Sequence, residues 1–157
     1  MRPAESIVTA RLRTRVQGGV ALGLIGVATE LALIEHYESP WQLVPFGAVG
    51  VALLALAWHH FSPRRTPARF LQTAMLILLG GGAAGSWLHF EGSRAFQLES
   101  DPGMSGLTVL TKVMRATAPP VLAPFSMGVL GLFGLASLYR APVLEAGARE
   151  TTIGGEQ

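Results

Sequence analysis

The sequence predicts an all-α integral membrane protein, a four-transmembrane-helix bundle with a short amphipathic helix in the outer connection between spans three and four. Two observations carry this. Half of the 157 residues are apolar and only 14% are charged, with a mean hydropathy of +0.42, too few polar groups to cover a water-soluble globule. The apolar residues also gather into four stretches near the ~20 residues that cross ~30 Å of hydrocarbon. There is no cysteine, which excludes disulfides, thiolate metal sites and thiol redox chemistry.

The expected spans are residues 17–37, 41–58, 70–90 and 120–139. The first follows arginines, as a signal peptide does, but no small-residue cleavage site precedes "EHYESPW", so it reads as an uncleaved span. Between spans one and two, Ser39 and Pro40 leave room only for an antiparallel hairpin. "FSPRRTPAR" breaks the chain between two and three, and its arginines suit anionic head groups. Residues 91–119 form the outer connection. Trp41, Trp58 and Trp87 fall near span ends, as aromatic-belt residues do.

Basic residues set the orientation. Arg2, Arg11, Arg13, Arg15, Arg64, Arg65, Arg69, Arg140 and Arg149 lie on one side, against Arg94, Lys112 and Arg115 on the other. The positive-inside rule then makes both termini cytoplasmic, in a bacterial inner membrane. Residues 1–16 read as a basic cytoplasmic segment, 17–139 as one membrane domain and 140–157 as a disordered cytoplasmic tail.

Small residues mark the faces expected to pack. Gly19 and Gly23, then Gly81 and Gly85, have small-xxx-small spacing, and Gly128, Gly131 and Gly134 recur every three residues. In lipid, where burying apolar surface between helices gains little, close backbone approach at small residues is a main source of association. Pro45, Pro120 and Pro124 are expected to bend or unravel helix ends. In the outer connection Leu107, Leu110, Met114 and Ala118 recur at helical spacing, Ser105 is placed to cap and Pro119 with Pro120 to stop. The result is a helix of about 12 residues on the outer surface, its apolar side on lipid or on the bundle mouth.

Three groups of residues could carry chemistry. Glu30 lies thirteen residues into span one, slightly beyond its midpoint, and is expected to face the interior, protonated or paired with Ser126 or Ser86. His36 and His89 each lie one residue from the outer end of their spans, at matching depth. They could ligate haem iron, as haem b, or a divalent metal with Glu91 or another acid. Glu35, Glu38, Arg94, Glu99 and Asp101 read as a solvated outer face. His59 and His60 read as head-group contacts.

No catalytic constellation, phosphate-cradling loop or nucleic-acid motif appears in a fitting context. The expected function is therefore a small non-catalytic inner-membrane subunit, an accessory or assembly protein without cofactor. It would act through its glycine faces and outer connection on the bilayer, a membrane-protein partner or a second copy. The alternatives are a haem or metal protein using His36 and His89, and a transporter or channel subunit using Glu30.

Overall fold

The computed structural model describes residues 7–115 and 122–145, and every described element is helical. Helix α1 runs Ile7–Leu33, α2 Leu43–Phe61, α3 Arg65–Ser100, α4 Leu107–Met114 and α5 Leu122–Leu138. A single 3-10 turn, Pro40–Gln42, leads into α2. Three helical segments, Ile7–Leu33, Pro40–Phe61 and Arg65–Ser100, are long and apolar enough to cross a membrane. Helix α5 is as apolar but has 17 residues, about 26 Å at ~1.5 Å each.

Two helices overrun the spans expected for them. Helix α1 begins at Ile7, ten residues before the expected start, and ends at Leu33 instead of Tyr37. Helix α3 continues past Phe90, through the supposed exit at Glu91, to Ser100. Its 36 residues measure about 54 Å, well over the ~30 Å of a hydrocarbon layer. A charge tells a helix where lipid ends, not where to stop. Arginine, glutamate and glutamine are good helix formers, and nothing from Glu91 to Ser100 breaks the backbone until "DPG" at Asp101.

Proline behaves more mildly than expected. Pro45 and Pro124 each sit in the first turn of a helix, where the missing N–H has no intrahelical partner to lose, and both helices run on undisturbed. Pro120 and Ala118 lie outside the described residues.

Helix α4 is shorter than anticipated and packs by a different face. It has eight residues, and Gly106 with φ 55° stands at its N-cap, so Ser105 does not cap it. Leu107, Leu110 and Met114 are exposed, whereas Val109 and Val113, one turn apart, are buried with Met104 against Phe90 and Leu98 of α3. Helix α4 thus rests on the overhanging part of α3. In water such burial is worth ~1.5–3 kcal/mol per large side chain, a gain lipid does not offer. Val113→Asp is expected to release α4 while leaving the other helices paired. Limited proteolysis in detergent should then cut faster between Asp101 and Gly106, with overall helicity nearly unchanged by circular dichroism.

The four longer helices close a ring in the order α1, α2, α3, α5. Each touches two neighbours, and among the described residues α1 makes no helix contact with α3, nor α2 with α5. The core runs inside the ring through Val20, Leu24, Val27 and Leu31 of α1, Val49, Ala52, Ala55 and Leu56 of α2, and Leu71, Met75 and Leu78 of α3.

The closest pairing is α3 on α5, and glycine permits it. A Cβ built on Gly82 would fall 2.5 Å from the Gly128 backbone nitrogen, and one on Gly131 would fall 2.6 Å from the Met75 carbonyl oxygen. Gly128, Gly85 and Gly134 also abut the partner helix, and Gly23 of α1 meets Leu130 of α5. Of the seven expected packing glycines, Gly19 and Gly81 have nothing within 4 Å of a built Cβ. Gly82 takes the place assigned to Gly81, because the α3 contact stripe runs Leu71, Met75, Leu78, Gly82, Gly85 in steps of four and three.

Candidate functional site: a histidine pair at one mouth of the helix ring

His36 and His89 come from diagonal elements of the ring, yet their ring centroids lie 6.1 Å apart with planes inclined by 39°. The chain reaches this arrangement through the end of α1. Past Leu33, Glu35 takes φ 56°, the left-handed conformation usual for glycine at this point. The N–H of Glu35 donates to the Ala32 carbonyl at 3.1 Å and that of His36 to the Leu31 carbonyl at 2.9 Å, the two bonds of a Schellman close. A non-glycine residue there costs on the order of 1 kcal/mol. The turn directs His36 away from the α1 axis. Beyond it the Gln42 side-chain oxygen accepts from the Ser39 N–H at 2.7 Å, fixing the approach to α2. His89 needs no turn, since it projects from the continuous α3.

The pair is half open. His36 is partly buried and His89 is exposed, with Trp87 and Tyr37 also exposed close by in sequence. Among the described residues no group of three or more His, Cys, Asp or Glu side chains is placed to hold a metal ion. Glu91 does not join the imidazoles but accepts from the Arg94 guanidinium at 3.1 Å, an exposed pair one turn apart on α3. Glu35, Glu38, Glu99 and Asp101 are exposed, and Asp101 accepts from the Gly103 N–H at 3.2 Å in the turn that ends α3.

Glu30 does not take the position expected of it. With α1 ending at Leu33, it lies one turn from the helix end, not near the middle, and it is exposed on the outside of the ring. The Ser126 hydroxyl donates to the Leu122 carbonyl of its own helix at 2.8 Å, and the Ser86 hydroxyl to the Gly82 carbonyl at 2.8 Å. Neither serine pairs with Glu30. The ring interior therefore receives no carboxylate from α1.

The opposite mouth holds a polar cluster that the sequence reading passed over. The Arg13 guanidinium donates to the carbonyl oxygens of Ser137 at 2.8 Å and Tyr139 at 3.4 Å, capping the end of α5. The Gln17 amide donates to the Ser137 hydroxyl at 3.3 Å, which donates in turn to the Gly134 carbonyl at 2.6 Å. His59 is not a surface head-group contact but is buried, at 7% exposure. One signal was present: the core stripe of α1, Leu24 and Val20, continues backward in helical steps to Gln17 and Arg13.

These features define an all-helical membrane protein with an imidazole pair at one end of its helices and an arginine-led polar cluster at the other. Compared with protein-family models, curated proteins and solved structures, the chain matches none.

Proposed function

We propose that the chain is a multi-pass inner-membrane protein, crossing four times with both termini cytoplasmic, that binds haem iron or another transition metal between His36 and His89 at its outer mouth. The observation supporting this is the 6.1 Å separation of the two rings. With metal–imidazole bonds of about 2.0–2.1 Å and about 1.1 Å more to each ring centre, two imidazoles on one ion stand at most ~6.4 Å apart. The observed spacing falls within that limit. Two protein ligands alone do not complete the shell of most ions. Haem meets the need, since its porphyrin supplies the other four. The orientation rests on the distribution of arginine, and α4 lies on the outer surface as an amphipathic cover over the α3 overhang. Purified in mild detergent, the protein is expected to show a Soret band or one equivalent of a transition metal by elemental analysis. A spectrum without a Soret band together with no bound metal would sink the assignment.

A second reading, an accessory or assembly subunit, draws on Glu30. This carboxyl faces outward from α1, and beside it on the same face Gly26 has nothing within 4 Å of a built Cβ. A carboxyl one turn inside lipid is better placed against a polar group of another helix. If that contact forms, Glu30→Leu should lower the mass of the native assembly in detergent without loss of helicity. An unchanged mass would count against this reading.

A further inference from the structure

Where α5 ends the chain turns back on itself, and the turn leaves an open groove beside α3. Arg140 takes φ 52°, and beyond it Ala141 is buried and Leu144 packs against the core of the ring. The groove has a volume of about 470 Å³ and is lined by Gln72 of α3, Leu135 and Leu138 of α5, and Arg140, Leu144 and Glu145 of the returning segment. That volume lies within the ~300–1,000 Å³ of small-ligand sites.

The lining changes character from one end to the other. A Cβ on Gly131 or Gly134 of α5 would meet Met75, so Gln72, one turn earlier in α3, stands level with the last turn of α5. Its side-chain amide is half-buried and makes no hydrogen bond among the described residues, although it can both donate and accept. A polar group at that depth in a membrane is better placed against a polar partner. At the outer rim of the groove Arg140 and Glu145 stand 3.7 Å apart, and their side chains, 64% and 32% exposed, remain reachable. Leucines, an amide and two opposite charges thus follow one another along one surface. An amphiphile with a single negative charge would be drawn by Arg140 and repelled by Glu145, whereas one with an anion and a cation side by side meets both.

We propose that this groove holds one molecule of phosphatidylethanolamine. Its phosphate lies on the Arg140 guanidinium, its ammonium donates to the Glu145 carboxylate, an ester carbonyl accepts from the Gln72 amide and one acyl chain follows Leu135 and Leu138. The site rests on the chain being embedded in a membrane, and it stands whether or not the histidine pair at the other mouth binds metal.

The test is native mass spectrometry of the full chain released from mild detergent, with phosphatidylethanolamine, phosphatidylcholine or phosphatidylglycerol of identical acyl chains titrated in. One saturable phosphatidylethanolamine is expected. It should bind about tenfold or more tighter than phosphatidylcholine, whose methylated nitrogen has no N–H to donate, and than phosphatidylglycerol, which brings no cation. Glu145→Gln should reduce the preference over phosphatidylcholine to less than about twofold, whereas Gln72→Leu should weaken both lipids alike. Glu99→Gln, an exposed carboxylate at the other end of the molecule, should leave binding unchanged. The proposal is overturned if phosphatidylcholine or phosphatidylglycerol binds the parent chain as tightly as phosphatidylethanolamine, if the preference survives Glu145→Gln, if Gln72→Leu binds like the parent, or if Glu99→Gln removes the preference as well.

Discussion

Replacing Gly82 or Gly131 by valine is expected to cost roughly 3 kcal/mol or more, the largest effect of any single change in this fold. Both positions meet backbone of the facing helix: Gly82 lies against the Gly128 nitrogen and the Pro124 carbonyl, Gly131 against the Met75 carbonyl and the Leu79 nitrogen. A flexible side chain could move aside, but a helix backbone cannot, so α3 and α5 must separate along their whole contact. Within lipid no hydrophobic gain offsets the lost packing. Gly81→Ala and Gly19→Ala make informative controls, because open space surrounds both. They should leave stability unchanged or raise it by up to ~1 kcal/mol through helix propensity. Thermal unfolding in detergent followed by helicity compares all four; equal losses at Gly81 and Gly82 would mean that the described register of α3 on α5 is wrong.

On the proposed assignment, His36→Ala and His89→Ala should each lower the affinity for haem or metal at least ~100-fold, because a two-ligand site has no redundancy. Glu91→Gln should retain it, since Glu91 is engaged with Arg94 and stands apart from the imidazoles. Occupancy should also fall on acidification, as a protonated imidazole cannot ligate. Visible absorption and metal content of the three variants, purified alongside the parent chain, decide the matter. Retention of a Soret band in both histidine variants would place the ligands elsewhere.

The two ends of the molecule differ in how far they were legible. His36 and His89 could be paired in advance because position within an apolar span gives depth, and depth is one coordinate of three. Their lateral approach depends on Glu35 adopting a left-handed turn, which residue preference argues against. Glu30 departs from its expected depth because the helix closes at Leu33 and not at Tyr37. The contact of Arg13 with Ser137 is not legible in the sequence, where arginines beside a span carry a topological charge signal. Whether a guanidinium turns to head groups or to the last carbonyls of a neighbouring helix depends on which helix lies next to it.

Composition and hydropathy by themselves determined the class: helical and membrane-embedded, with glycine on the helices that approach most closely. These follow from chemistry that acts locally, since a backbone in hydrocarbon must satisfy its own hydrogen bonds and therefore forms helices. Only the tertiary structure decided that α3 runs on past Phe90 to Ser100 and carries α4 there, that Gly82 and not Gly81 meets α5, and that the two histidines approach one another. Those outcomes turn on rotation about a helix axis, where one residue is worth 100°. Apolar periodicity specifies that rotation weakly in a chain greasy on both its lipid and its protein faces.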